Sequence, residues 1–216
     1  MGHQLYKNKN GERVPSVTTI LGNLGWSKDA LCYWAWNLGM QGINYREKSG
    51  DACDVGTIAH GYVEAQIKGE EYDIQSFGLD EEKEKLVENC IDAWNRWRDQ
   101  STLEIIASEK PLVSEAYQYG GCLDAAAISS KRSILDLKTG NGCYPDHICQ
   151  VVAYAKMWTE NFPDQPIEEI HIVRLGKEDG SFHHHNFAMD ALGPAWESFL
   201  AALTLHKNKK ILSKMI

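Results

Sequence analysis

Asp136 and Lys138 stand two apart in Ile134-Leu135-Asp136-Leu137-Lys138, and Gly120-Gly121-Cys122-Leu123-Asp124 precedes them at a short interval. On a β-strand side chains alternate between faces, so Asp136 and Lys138 share one face while Leu135 and Leu137 take the other. A carboxylate beside an ammonium, with a second carboxylate on a neighbouring strand, is the minimal equipment for metal-assisted phosphodiester hydrolysis. Acidic oxygens hold a hard divalent cation, and the lysine serves the attacking water or the developing charge. Ile134, Leu135 and Leu137 make this a buried strand, where a charged pair needs partners.

The elements that must hold these groups follow from periodicity. Two short extended pieces flank Gly11, ahead of Pro15-Ser16-Val17-Thr18-Thr19-Ile20-Leu21. Residues 28–47 read as an aromatic helical region with Tyr33, Trp34, Trp36 and Tyr45, ended by a break at Ser49-Gly50. A helix over 56–68 puts His60 and Glu64, four apart, on one face. Leu86, Cys90, Ile91, Trp94 and Trp97 recur at helical spacing and predict an amphipathic helix over 80–99, opened by Asp80-Glu81-Glu82.

Strands are expected at 104–116, 117–129 and 132–138, the last two joined as a hairpin through Ser129–Arg132. A helix over 146–160, strands at 168–175 and 181–189, and a helix begun by Gly193-Pro194 complete the order. Strands and helices in this sequence predict an α/β fold, a mixed central sheet flanked by helices. The chain reads as one domain: a mostly helical part over 14–100, a catalytic sheet with its helix over 101–190, and a C-terminal helix over 194–213.

At 216 residues there is length for a substantial core. No apolar stretch approaches the roughly 20 residues that cross a bilayer. The first ten residues hold no apolar run of the secretory kind, and Tyr6 stands where a myristoylation signal needs serine or threonine. An intracellular protein without a membrane partner is the expectation. The six cysteines form no CxxC pair and read as reduced, mostly structural thiols, so a zinc or iron–sulfur site is not expected. A net charge of −8 argues against a general nucleic-acid coat protein, though not against an enzyme whose cleft carries its own cations. In His183-His184-His185 the middle residue faces away from its neighbours, which is poor geometry for a three-histidine metal site. Lys207, Lys209 and Lys210 read as a frayed basic terminus.

Four motifs then stand in order: Gly56-Thr57-Ile58-Ala59-His60, Gly121-Cys122-Leu123-Asp124, Asp136-Leu137-Lys138 and Gln150-Val151-Val152-Ala153-Tyr154. This series resembles the RecB-like branch of the PD-(D/E)xK nuclease superfamily, marked by a GxxxH-like helix, a G-x-x-D strand, a D-x-K strand and a QxxxY helix. The opening Pro15-Ser16-Val17-Thr18 is similar to that of phage nucleases and the mitochondrial genome-maintenance exonuclease. The resemblance spans about residues 14–175 and implies a restriction-endonuclease-like core with an N-terminal helical elaboration. It implies His60, Asp124, Asp136 and the Leu137 carbonyl as ligands of one or two Mg²⁺ or Mn²⁺ ions, with Glu109 as a further acidic ligand. Lys138 is then the catalytic lysine, acting with Asp136 and Asp124, while Gln150 and Tyr154 support the site and touch substrate.

Trp34 and Trp36 are candidates to stack unpaired bases. Relatives in CRISPR adaptation carry a four-cysteine iron–sulfur cluster, but no cysteine follows Cys149 here, and no phosphate-binding G-x-x-x-x-G-K-[ST] run for ATP is present. The activity implied is a metal-dependent deoxyribonuclease, an exonuclease on single-stranded or free DNA ends in replication, recombination or repair, with a protein partner from those processes. The alternatives are an endonuclease on the same core and a catalytically silent DNA-binding recombination partner.

Overall fold

The computed structural model describes residues 4–216. A small ribbon opens it, β1 (Tyr6–Lys7) antiparallel to β2 (Arg13–Val14), with Gly11 turning at a φ of 80°. Next, α1 (Val17–Leu21) starts at Ser16, whose hydroxyl accepts from the Thr19 amide at 3.1 Å and satisfies one orphan donor of the first turn. The PSVT run is therefore a helix cap followed by a buried turn of helix.

After α2 (Lys28–Met40), α3 (Tyr45–Lys68) runs unbroken through Ser49 and Gly50. The expected break there is absent, and the helix begins well before residue 56. Asn44 caps it by accepting from the Arg46 amide at 3.0 Å. One interior glycine costs a helix only about 1 kcal/mol, which the buried residues from Val55 onward outweigh. Asp80 caps α4 (Glu81–Gln100), accepting from the Lys83 amide at 2.8 Å.

Then come β3 (Glu104–Ser114), β4 (Tyr119–Ile128), β5 (Arg132–Lys138), α5 (Pro145–Asn161), β6 (Glu169–Leu175), β7 (Phe182–Ala188) and α6 (Gly193–Leu212). The five strands form one sheet in the order β3-β4-β5-β6-β7, antiparallel except where β5 lies beside β6. That parallel pair needs a crossover, and α5 supplies it. The fold is α/β, a mixed five-stranded sheet flanked by helices.

Alternate residues of the central strands feed two cores. Ile134 and Ile172 pack with α1, α5 and α6 through Val17, Ile20, Val152 and Phe199. Leu135 and Val173, one residue further on, pack with α3 and α4 through Val55, Ile58, Trp94 and Trp97. Burial on both faces accounts for the continuous apolar run of β5 into which Asp136 is set. Helix α6 runs through Leu212, one residue short of the expected end, and holds Lys207, Lys209 and Lys210 in ordered helix where a frayed terminus was the expectation for them. Among the described residues no helix is long and apolar enough to cross a membrane.

Candidate active site

Three acidic residues are brought side by side by strand register. β3 and β4 pair Ser108 with Ala125 and Lys110 with Leu123, and β4 and β5 pair Ala125 with Leu135. Continuing both registers aligns Glu109, Asp124 and Asp136 across three adjacent strands. Past the Ala125–Leu135 pair the β4–β5 ladder ends, and the Leu137 amide donates to Asp124 Oδ2 at 2.7 Å. A residue's N–H and C=O face the same edge of a strand, so the Leu137 carbonyl also faces this gap.

Helix α3 brings His60 over the row, with Nδ1 at 3.7 Å from Asp124 Oδ2. His60, Glu109 and Asp124 each offer a ligand atom, and the three atoms lie within 4.8 Å of one another. Two carboxylates and an imidazole suit Mg²⁺, and Mn²⁺ somewhat better. Glu109 takes part from a φ of 43°, a left-handed conformation that costs a non-glycine residue about 1–2 kcal/mol. Strain of this kind collects at functional sites. Burial, then the Asp124 charge, raises the Glu109 carboxyl above the usual range, against a contact from the Cys122 thiol at 3.4 Å. A cation among these groups relieves both penalties. Gly56 explains how α3 comes so close: a Cβ there would lie 2.9 Å from Thr139 Oγ1.

Asp136 stands apart from this group. It is 1% exposed, its Oδ2 lies 2.8 Å from Lys138 Nζ, and neither of its buried oxygens has a well-directed hydrogen bond. Burial pushes its carboxyl up, against the pull of the Lys138 ammonium. Burial pulls Lys138 down, but Asp136 and Asp124 outweigh it and the ammonium is held. Lys138 Nζ also donates to Gln150 Oε1 at 3.1 Å, and Gln150 Nε2 donates to the Tyr154 hydroxyl at 3.1 Å. The D-x-K strand and the QxxxY helix are thus joined by one polar chain.

His147, which sequence reasoning passed over, belongs to the same helix face, three residues before Gln150. That spacing was the available signal. The Tyr144 amide donates to its Nδ1 at 3.3 Å, which leaves the ring proton on Nε2. Burial, then the Lys138 charge, pulls the imidazole down to about 4. With Lys138 and Gln150 it lines a cleft of about 700 Å³ that Leu21, Trp26, Leu31 and Tyr45 also line. Trp34 and Trp36 lie outside this lining. They stand 39% and 58% exposed on α2, which buries none of its residues.

No protein-family model matches this chain, and neither does any curated protein sequence. Solved structures with a partial likeness include an alkaline exonuclease, LHK-Exo, from Laribacter hongkongensis, at 12% identity over 60% of this chain and 73% of that one, with a TM-score of 0.35. LHK-Exo in complex with dAMP aligns at 13% identity over 77% of this chain and 92% of that one, with a TM-score of 0.36. SSO0001 aligns at 13% identity over 52% of this chain and 56% of that one, with a TM-score of 0.31. At such TM-scores nothing is carried across from them.

Proposed function

We propose that this chain is a divalent-cation-dependent deoxyribonuclease, an exonuclease working on DNA with single-stranded ends in replication, recombination or repair. The observation that carries the reading is the row Glu109, Asp124 and Asp136 across three strands, roofed by His60 and flanked by Lys138. His60, Glu109 and Asp124 are the residues to hold Mg²⁺ or Mn²⁺, with the Leu137 carbonyl as a further oxygen at the same gap and Asp136, beside Lys138, as the next carboxylate along the row. When bound, the cation supplies positive charge against the phosphate and acidifies the attacking water.

The chain's own groups do the positioning. An ammonium has three N–H donors. Gln150 accepts from one of those on Lys138, Asp136 holds the ammonium by charge at 2.8 Å, and a donor is left for the attacking water or a phosphoryl oxygen. Such a fixed donor stabilises charge that develops in the transition state. The His147 Nε2–H is a second, uncharged donor on the same side of the cleft. Trp26 and Tyr45 offer aromatic faces to unpaired bases.

The test is digestion of end-labelled single-stranded, duplex and covalently closed circular DNA with Mg²⁺ or Mn²⁺, beside the Asp136→Ala protein. Loss of linear strands with circles spared supports an end-dependent exonuclease. Cutting of circles replaces that reading with an endonuclease, and no cutting of any DNA leaves the binding-module alternative.

A further inference from the structure

We propose that Arg13, Lys209, Lys210 and Lys214 form a track for the sugar–phosphate backbone of the strand whose end lies in the active-site cleft. The inference rests on the nuclease reading above for the direction of the strand, and on separate residues for the track itself.

Three clefts follow one another around α1. The active-site cleft shares Gly22 with a second cleft of about 670 Å³, walled by Lys209, Lys210 and Lys214. The second shares Thr19, His206 and Lys210 with a third of about 330 Å³ that ends at Arg13. Thr18 lines the first cleft and Thr19 the other two, so α1 is the ridge over which a strand leaving Lys138 passes.

Charge separates this lane from the rest of the surface. The chain carries 30 acidic against 22 basic residues, yet no carboxylate lines the second or third cleft. Among the described residues none of the four cations is in an ion pair. Burial, then Lys210 and Lys209, pulls the His206 imidazole below its usual value, a sign of the positive field between them. Lysines in the last turn of a helix also suit its dipole. Arg13, however, comes from β2 and Lys214 from beyond the end of α6, so the dipole does not account for their convergence. A polyanion does, because neutralising unpaired cations with phosphates releases counterions.

The experiment measures binding of a long labelled single-stranded oligodeoxynucleotide in EDTA across a KCl series. It compares the unaltered chain, the triple variant Lys209→Glu/Lys210→Glu/Lys214→Glu, and a charge-matched triple elsewhere, Lys48→Glu/Lys85→Glu/Lys177→Glu. The track predicts that only the first triple flattens the log–log salt dependence, by about 2 at roughly 0.7 per lost phosphate contact. Equal effects of the two triples trace binding to net charge and overturn the track, as does an unchanged slope or an unaltered protein that binds no DNA. The reading needs no cutting, so a flattened slope in a protein that fails to cut upholds the track while the nuclease reading falls.

Discussion

The glycine of one strand is the seat of a tyrosine ring on the helix above it: a Cβ on Gly121 would lie 2.6 Å from Cε1 of Tyr154. Tyr154 is 4% exposed and, through Gln150, ends at Lys138, so the space left at Gly121 fixes the far end of this polar chain. Gly121→Ala is expected to lower stability by about 1–3 kcal/mol through overpacking, and to lower activity with it. Tyr154→Phe keeps the ring and removes one hydrogen bond, which costs about 1 kcal/mol. Thermal unfolding of both variants checks this; an unchanged melting temperature for Gly121→Ala contradicts the close seat.

Much of this arrangement is legible in the sequence because it depends on short-range periodicity. Alternation along β5 puts Asp136 and Lys138 on one face, and helical spacing puts Gln150 and Tyr154 on one edge. The apolar repeat of α4 likewise gives its bounds to within a residue or so. The ordered motifs also bring Glu109 into consideration, but its strained backbone and its place in the acidic row depend on pairing between strands. Gly50 reads as a breaker and so masks the early start of α3, which Asn44 caps. His147 stood in plain spacing and lacked only a reason to be chosen. The pairing of His171 with His184 depends on the β6–β7 register, which no local pattern encodes.

The buried Asp136–Lys138 pair separates structural from catalytic roles. Removing one partner of a buried ion pair costs about 3–5 kcal/mol, whereas replacing both with apolar or neutral groups is near neutral. Lys138 is 19% exposed at its side chain, so the low end of that range applies. Lys138→Met is expected to lose both activity and melting temperature. Asp136→Asn/Lys138→Met is expected to regain most of the melting temperature and none of the activity. Recovery of cutting in the double variant would remove the pair from the mechanism.

Glu109 is expected to trade stability for cation binding. Glu109→Gly releases a left-handed glutamate beside Asp124, and without added metal its melting temperature should rise, by the equivalent of about 1 kcal/mol. Saturating Mn²⁺ should stabilise the unaltered chain by about 3 kcal/mol at a hundredfold excess over Kd, and the variant by much less. Thermal shift with and without Mn²⁺ measures both effects. An equal Mn²⁺ shift in the two proteins contradicts a ligand role for Glu109.

A proton-sensitive chain lies at the other end of the sheet. Trp97 Nε1 donates to His184 Nδ1 at 3.2 Å, so His184 Nε2 carries the proton that faces His171 Nδ1 at 2.9 Å. His171 Nε2 then donates to Glu169 Oε1 at 3.2 Å. Both imidazoles must be neutral, since another proton sets N–H against N–H. Burial pulls both below the usual histidine value, against Glu169. With folded values lowered, the unfolded chain binds more protons below about pH 6.5, so stability is full above that pH and falls as pH drops toward the folded values. His171→Gln/His184→Gln should lessen the slope of melting temperature against pH over about 5–7.5 without levelling it, because the lowered His147 and His206 imidazoles remain. A profile as steep as that of the unaltered chain would exclude this network as its source.

The most direct test of the proposed cation-dependent phosphodiesterase site is single-turnover cleavage of an end-labelled DNA strand, with Mn²⁺ or with EDTA, by the unaltered chain and by Asp124→Ala. Asp124 touches both His60 and the Leu137 amide, so its loss opens the row at its centre. The account predicts cutting only with the cation, and loss of that cutting in a variant that still folds. Cutting in EDTA, or cutting retained by Asp124→Ala, would contradict it.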